Sequence, residues 1–96
     1  MNSKKIALFL TVLIMGLCLT SSTRQTTIFV IGDSTAAEKG EPDTNPERGW
    51  GMVLQGFFDE HVLIENHAVN GRSSKSFLDE GRWQVILDRI KPGDYV

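Results

Sequence analysis

Two short apolar runs stand out in a mostly polar chain. Ile28-Phe29-Val30-Ile31 runs into Gly32-Asp33-Ser34, and Val62-Leu63-Ile64 ends at Glu65-Asn66-His67. Runs of this length without polar alternation predict buried strands of a parallel sheet. Between them, residues 38–48 carry two prolines, a glycine and six charges, the composition of a loop. The segment from Trp50 to Glu60 then places Val53, Leu54, Phe57 and Phe58 at helical spacing, weakened by Gly56. Beyond the second run, Ala68 to Lys75 is a loop rich in Gly and Ser, and Phe77-Leu78 is an apolar docking point. From Arg82 to Lys91, Trp83, Ile86, Leu87 and Ile90 fall at i, i+3, i+4 and i+7, which predicts an amphipathic helix. Pro92-Gly93 closes that helix, and a further strand begins near Tyr95. Strand, helix, strand, helix and strand onset in that order predict an α/β fold with parallel pairing and right-handed crossovers.

The first residues follow another pattern. Lys4 and Lys5 precede a nearly unbroken apolar run from Ile6 to Leu19, and Thr20-Ser21-Ser22 supplies small residues. This is the layout of a signal peptide, with cleavage expected after Ser22. The run is shorter than the roughly 20 residues a spanning helix needs, so no stable membrane insertion is expected. Lipid attachment at Cys18 is disfavoured, because the preceding Leu17 is not small. The chain thus divides into a signal peptide, 1–22, and a domain segment, 23–96, with a secreted or periplasmic destination.

Cys18 is the only cysteine, so cleavage after Ser22 leaves neither disulfide nor thiol nucleophile. The segment 23–96 keeps twelve acidic residues and eight basic ones (ten less Lys4 and Lys5), a net charge of −4. It has no basic patch interleaved with aromatics, and no nucleic-acid partner is expected. A segment of this length with two complete strands buries little surface, so it is expected to be the N-terminal portion of a larger domain.

Candidate chemistry follows from the strand ends, where parallel sheets place their ligands. Ser34 is the candidate nucleophile, and Asp33 can hold the turn through its carboxylate. Taken alone, Gly32-Asp33-Ser34 is more often an ordinary turn than a catalytic one. Gly71, in the loop after the second run, can present its backbone N–H to a carbonyl oxygen, or simply close an Asn-Gly turn. His61 lies at the wrong end of the second strand for catalysis. His67 lies at the right end, although a loop histidine held by hydrogen bonds is the simpler expectation. The two histidines lack regular spacing to carboxylates, and no metal is expected.

Taken together, these residues resemble a known family. Gly32-Asp33-Ser34-Thr35 after a buried strand is similar to the first block of the SGNH (GDSL) hydrolases. Asn66 followed by Gly71 resembles their second block. Gly49-Trp50-Gly51, Asn70-Gly71-Arg72-Ser73-Ser74-Lys75-Ser76-Phe77, Glu80-Gly81-Arg82-Trp83 and Lys91-Pro92-Gly93-Asp94-Tyr95 look most like the rhamnogalacturonan acetylesterases. The resemblance runs from Thr27 to Val96.

It implies a three-layer α/β/α, flavodoxin-like fold and an exported, monomeric esterase that needs no cofactor. Such an enzyme removes acetyl groups from pectic polysaccharide. Ser34 would be nucleophile and oxyanion donor, and Gly71 a second oxyanion donor. Asp33 and Asn66 would act in support. Arg72 would contact acidic sugar or bond loop carbonyls, and Trp50 would stack on a sugar ring or start the helix as a core aromatic. The family's Gly-x-Asn-Asp and Asp-x-x-His blocks are absent from the 96 residues, so the chain by itself is expected to be inactive. Two other functions fit the same residues: an SGNH esterase or lipase with another substrate, and a non-catalytic glycan-binding fragment.

Overall fold

The computed structural model describes residues 2–20 and 24–96, and the side chains of all of these except 14–20. The expected cleavage point after Ser22 and the side chain of Cys18 lie outside what is described. Helix α1 spans Ser3–Thr20. Among the described residues, no helix is long and apolar enough to cross a membrane.

Strand β1 (Thr26–Val30) pairs in parallel with β2 (Val62–Asn66), with Ile28 opposite Ile64 and Val30 opposite Asn66. The pairing continues past both strand ends, where His67 N–H donates to Val30 C=O (2.8 Å) and Val69 N–H to Gly32 C=O (3.0 Å). On its other edge, β1 exchanges bonds with Tyr95. Phe29 N–H donates to Tyr95 C=O (2.8 Å) and Tyr95 N–H to Thr27 C=O (3.0 Å), a parallel bridge. Where the sequence predicts the onset of a further strand, the structure holds a single parallel bridge at Tyr95, and β1 lies between it and β2.

Alternation along the strands sends side chains to two covered faces. Val30 packs with Ala36, Ala37 and Ala68, and Leu54 and Ile64 join this cluster. On the opposite face, Phe29 lies against the His67 ring (5.8 Å between centroids), and Glu65 accepts a bond from Arg89 (2.7 Å). Helices on either side of a parallel pair make this an α/β fold.

Several boundaries differ from expectation. The segment beginning at Trp50 forms only a short α2 (Trp50–Val53), which tightens into a 3₁₀ turn over Leu54–Phe57. The cause lies in Gln55. Its side-chain amide donates to Val62 C=O (2.8 Å) and accepts from Ile64 N–H (2.9 Å), so it fills the open edge of β2 as a neighbouring strand would. With the helix stopped there, Phe57 is 80% exposed, and Val53 and Phe58 are exposed as well.

Strand β2 is half-buried instead of buried, and Leu63 and Glu65 line a surface groove together with the polar Asp88 and Arg89. The loop after β2 ends earlier than expected, since Ser73 caps α3 (Ser74–Asp79) by accepting from Ser76 N–H. Phe77 is buried but Leu78 is exposed. Helix α4 (Arg82–Arg89) stops short of Lys91, whose helical conformation Pro92 disfavours. On its apolar face Ile86 is fully buried and Leu87 exposed.

Candidate active site

Ser34 stands in a tight turn at the carboxyl end of β1. Asp33 organises that turn with both its carbonyl and its carboxylate. The carbonyl accepts from Ala36 N–H (3.1 Å) and Ala37 N–H (3.0 Å). Its Oδ1 accepts from Thr35 N–H (3.0 Å) and the Thr35 hydroxyl (2.9 Å). These bonds, the Thr35 N–H first, hold the Asp33 carboxyl below its ordinary value. Ser34 itself is exposed, and among the described residues neither its hydroxyl nor its N–H has a hydrogen-bond partner.

Gly71 occupies a second turn, closed by Arg72 N–H donating to Val69 C=O (3.3 Å). Its φ of +71° is the left-handed value that the third residue of a type II turn requires. Its N–H also lacks a partner among the described residues. Two unpaired N–H groups on adjacent strand ends are what an anion or a developing oxyanion needs.

Asn66 ties the two loops together. Its Nδ2 donates to Ala36 C=O (2.8 Å) and, more weakly, to Glu38 Oε1 (3.4 Å), while its Oδ1 accepts from Ala68 N–H (3.1 Å). The Gly49-Trp50-Gly51 segment closes the same joint from outside. Trp50 N–H donates to Thr35 C=O (2.9 Å) and Gly51 N–H to Ala36 C=O (3.1 Å). Approach is so close that a Cβ on Gly49 would lie 2.0 Å from Ala37 O, and one on Gly51 2.5 Å from Asn66 Nδ2.

Lys39 is a residue that spacing gave no reason to select. Its ammonium donates to the Ser34 carbonyl and to Asn70 Oδ1 (3.3 Å), spanning from the nucleophile turn to the glycine turn.

A groove of about 550 Å³ opens beside the turn, lined by Asp33, Trp50, Arg72, Phe77, Leu78 and Trp83 among others. Trp50 is 50% exposed on this groove, not a core aromatic. Its backbone N–H is bonded to Thr35 C=O, and its ring is left half-exposed. Arg72 is bonded through Nε to Glu80 (3.1 and 3.2 Å) and through Nη1 to Asn70 C=O (3.0 Å). Its Nη2 has no partner among the described residues. Partial burial raises the Glu80 carboxyl, but bonds from Arg72 and Arg82 outweigh that, and it lies below its ordinary value.

Neither histidine joins Ser34. His67 Nε2 pairs with Glu65 Oε1 (3.1 Å) on the α4 face, and His61 Nδ1 with Asp59 (3.1 Å) at the far end of β2. Asp59, Glu60 and His61 bring one ligand atom each within 4.8 Å, all on the surface, with Asp59 already bonded to His61. None of them is near the groove.

No family model matches the sequence. Probable rhamnogalacturonan acetylesterase YesY of Bacillus subtilis (strain 168) is 45% identical over 69 residues, covering 72% of this chain and 31% of that protein. A rhamnogalacturonan acetylesterase of Emericella nidulans is 40% identical over 81 residues, 84% of this chain and 29% of that protein. The crystal structure of protein YxiM from Bacillus subtilis matches with a TM-score of 0.68 at 36% identity, covering 74% of this chain and 20% of that one. The chain thus spans less than a third of the length of the curated relatives it matches. Over the matched residues it is a homologue of rhamnogalacturonan acetylesterases, and its resemblance to the SGNH hydrolases stands.

Proposed function

We infer that this chain carries the nucleophile and part of the oxyanion site of a serine esterase that deacetylates pectic polysaccharide such as rhamnogalacturonan. Ser34 Oγ attacks the acetyl carbonyl, and the oxyanion is received by the N–H groups of Ser34 and Gly71. The C–O bond to the sugar then breaks as the serine's proton passes through a base to the leaving sugar oxygen, making the free hydroxyl, and water hydrolyses the acetyl-serine to acetate and free Ser34. In this reaction the base belongs to an Asp-x-x-His pair that residues 1–96 do not contain. The sugar lies in the groove, where the Trp50 ring and the open Nη2 of Arg72 meet an acidic saccharide. Residues 1–22 act as an export signal, and 23–96 form the first part of the esterase domain.

The observation that carries this function is the pair of N–H groups, Ser34 and Gly71, that lack partners among the described residues, in the loops after neighbouring strands of a homologue of acetylesterases. The full-length product of the gene, exported and with its mature start near residue 23 checked by intact mass, is expected to release acetate from acetylated rhamnogalacturonan faster than from acetylated xylan. Ser34→Ala is expected to lower that rate about 1,000-fold or more. Full activity in Ser34→Ala would sink the assignment, and equal rates on both glycans would remove the pectic specificity.

A further inference from the structure

The strands fix the roots of the two site loops but not their tips. Backbone pairing ends with Val69 N–H on Gly32 C=O, and the Asn66 amide reaches Ala36, Ala68 and, at 3.4 Å, Glu38, but neither Ser34 nor Gly71. Beyond these bonds Ser34 and Gly71 stand on exposed turns. Among the described residues, one side chain connects the tips: the Lys39 ammonium, on the Ser34 carbonyl and on Oδ1 of Asn70, the residue next to Gly71. Its own backbone is anchored, because Lys39 N–H donates to Met52 Sδ (3.1 Å) in α2. Gly49 N–H donates to the same sulfur (3.3 Å), so both ends of the 40–48 loop converge there.

We propose that Lys39 is a positioning residue, which sets the spacing between the Ser34 and Gly71 N–H groups by bridging the Ser34 carbonyl to the Asn70 side chain. This role rests on Ser34 being the nucleophile. An ammonium suits it, having three donors, no acceptor, and a stem long enough to cross between loops. A positive charge beside both turns also favours the negative oxygen that forms in the transition state. Misplacing such donors by about 1 Å costs roughly 100-fold in rate.

The test uses the full-length product with 4-nitrophenyl acetate, an ester too small to reach a distant sugar subsite. Lys39→Met keeps the apolar stem and removes the ammonium. It is expected to lower kcat about 10- to 100-fold with KM changed less than about threefold, and Lys39→Arg to recover most of the loss. Asn70→Ala is expected to cost about as much, and the double variant no more than either single one, because both break one bridge. By NMR, the backbone order parameters of Asn70 and Gly71 fall from about 0.85 to below about 0.7 in Lys39→Met. Unchanged kcat in Lys39→Met alongside an inactive Ser34→Ala would overturn the bridge and leave the nucleophile standing. A loss confined to KM, or additive losses in the double variant, would also overturn it. If Ser34→Ala stays active, the nucleophile assignment fails instead. Unchanged order parameters alone would then refute the bridge.

Discussion

Asn66 is half-buried and uses both ends of its amide across the joint between the two site loops. Replacing it by alanine strands the Ala68 N–H and removes one donor from the Ala36 carbonyl, which keeps Gly51 N–H. An unsatisfied buried partner costs about 1–3 kcal/mol, and in the full-length esterase domain each kcal/mol moves Tm by about 2–4 °C. Asn66→Asp is expected to be at least as damaging. It keeps the acceptor for Ala68 N–H but turns a carboxylate oxygen toward the Ala36 carbonyl and the Glu38 carboxylate. Thermal denaturation of the two variants decides this, and an Asn66→Asp protein with the parent Tm would refute the clamp. The role of Asn66 was visible in sequence only as a spacing to Gly71; its contact with Ala36, 30 residues away, had no local signal. Lys39 was less visible still, since a lysine in a charged loop looks like any solvated lysine.

At the level of elements, the joint between α2 and the Ser34 turn depends on two missing side chains. With Ala37 O and Asn66 Nδ2 so near, a methyl group at Gly49 or Gly51 must push backbone or break the clamp. Gly49→Ala and Gly51→Ala are each expected to destabilise by about 1–3 kcal/mol or more. Gly56, three residues past α2, has open space around its would-be Cβ and no positive φ. There alanine restricts the unfolded chain without a clash, and a gain of about 0.4–1 kcal/mol is expected. Urea denaturation midpoints of the three variants should therefore split two against one, and equal losses at all three would refute the close-packing account. This contrast also explains how the elements were legible. The strands and α4 announced themselves because apolar periodicity records burial against a neighbour. The length of α2 was overestimated because Phe57 and Phe58 continue the apolar pattern, whereas the backbone follows Gln55 as it bonds the edge of β2. A side chain that acts as a strand leaves no periodic trace.

For the whole molecule, the third element of the sheet is held by one carboxylate. The Asp94 side chain is 4% exposed and accepts from Thr27 N–H (3.0 Å) and Lys91 N–H (2.9 Å), with Arg24 at 3.9 Å. It thereby fixes the Lys91–Asp94 turn against β1 and sets Tyr95 in register for its two backbone bonds. These donors, the Thr27 N–H first, hold the Asp94 carboxyl below its ordinary value of 3.8. Because the folded value is the lower one, the unfolded chain binds the proton more readily as pH falls. The contribution is therefore complete above about pH 4 and is lost as pH drops through the depressed folded value. Glu65 and Glu80 are also depressed, Glu65 chiefly by its bond from Arg89, and both add to stability in the same direction. Stability should thus be level near neutrality with respect to these groups and begin to decline as pH approaches 4.5, the ordinary value of the two glutamates, with Asp94 adding to the loss from its ordinary value of 3.8 downward. Asp94→Asn keeps an oxygen acceptor but cannot carry charge. It is expected to lower stability at pH 7 and to flatten part of the acid decline, with the two curves converging at low pH. Denaturation midpoints at a series of pH values from 7 down to about 2.5 provide the measurement. Parallel curves for the two proteins would show that Asp94 does not lock the sheet through its charge.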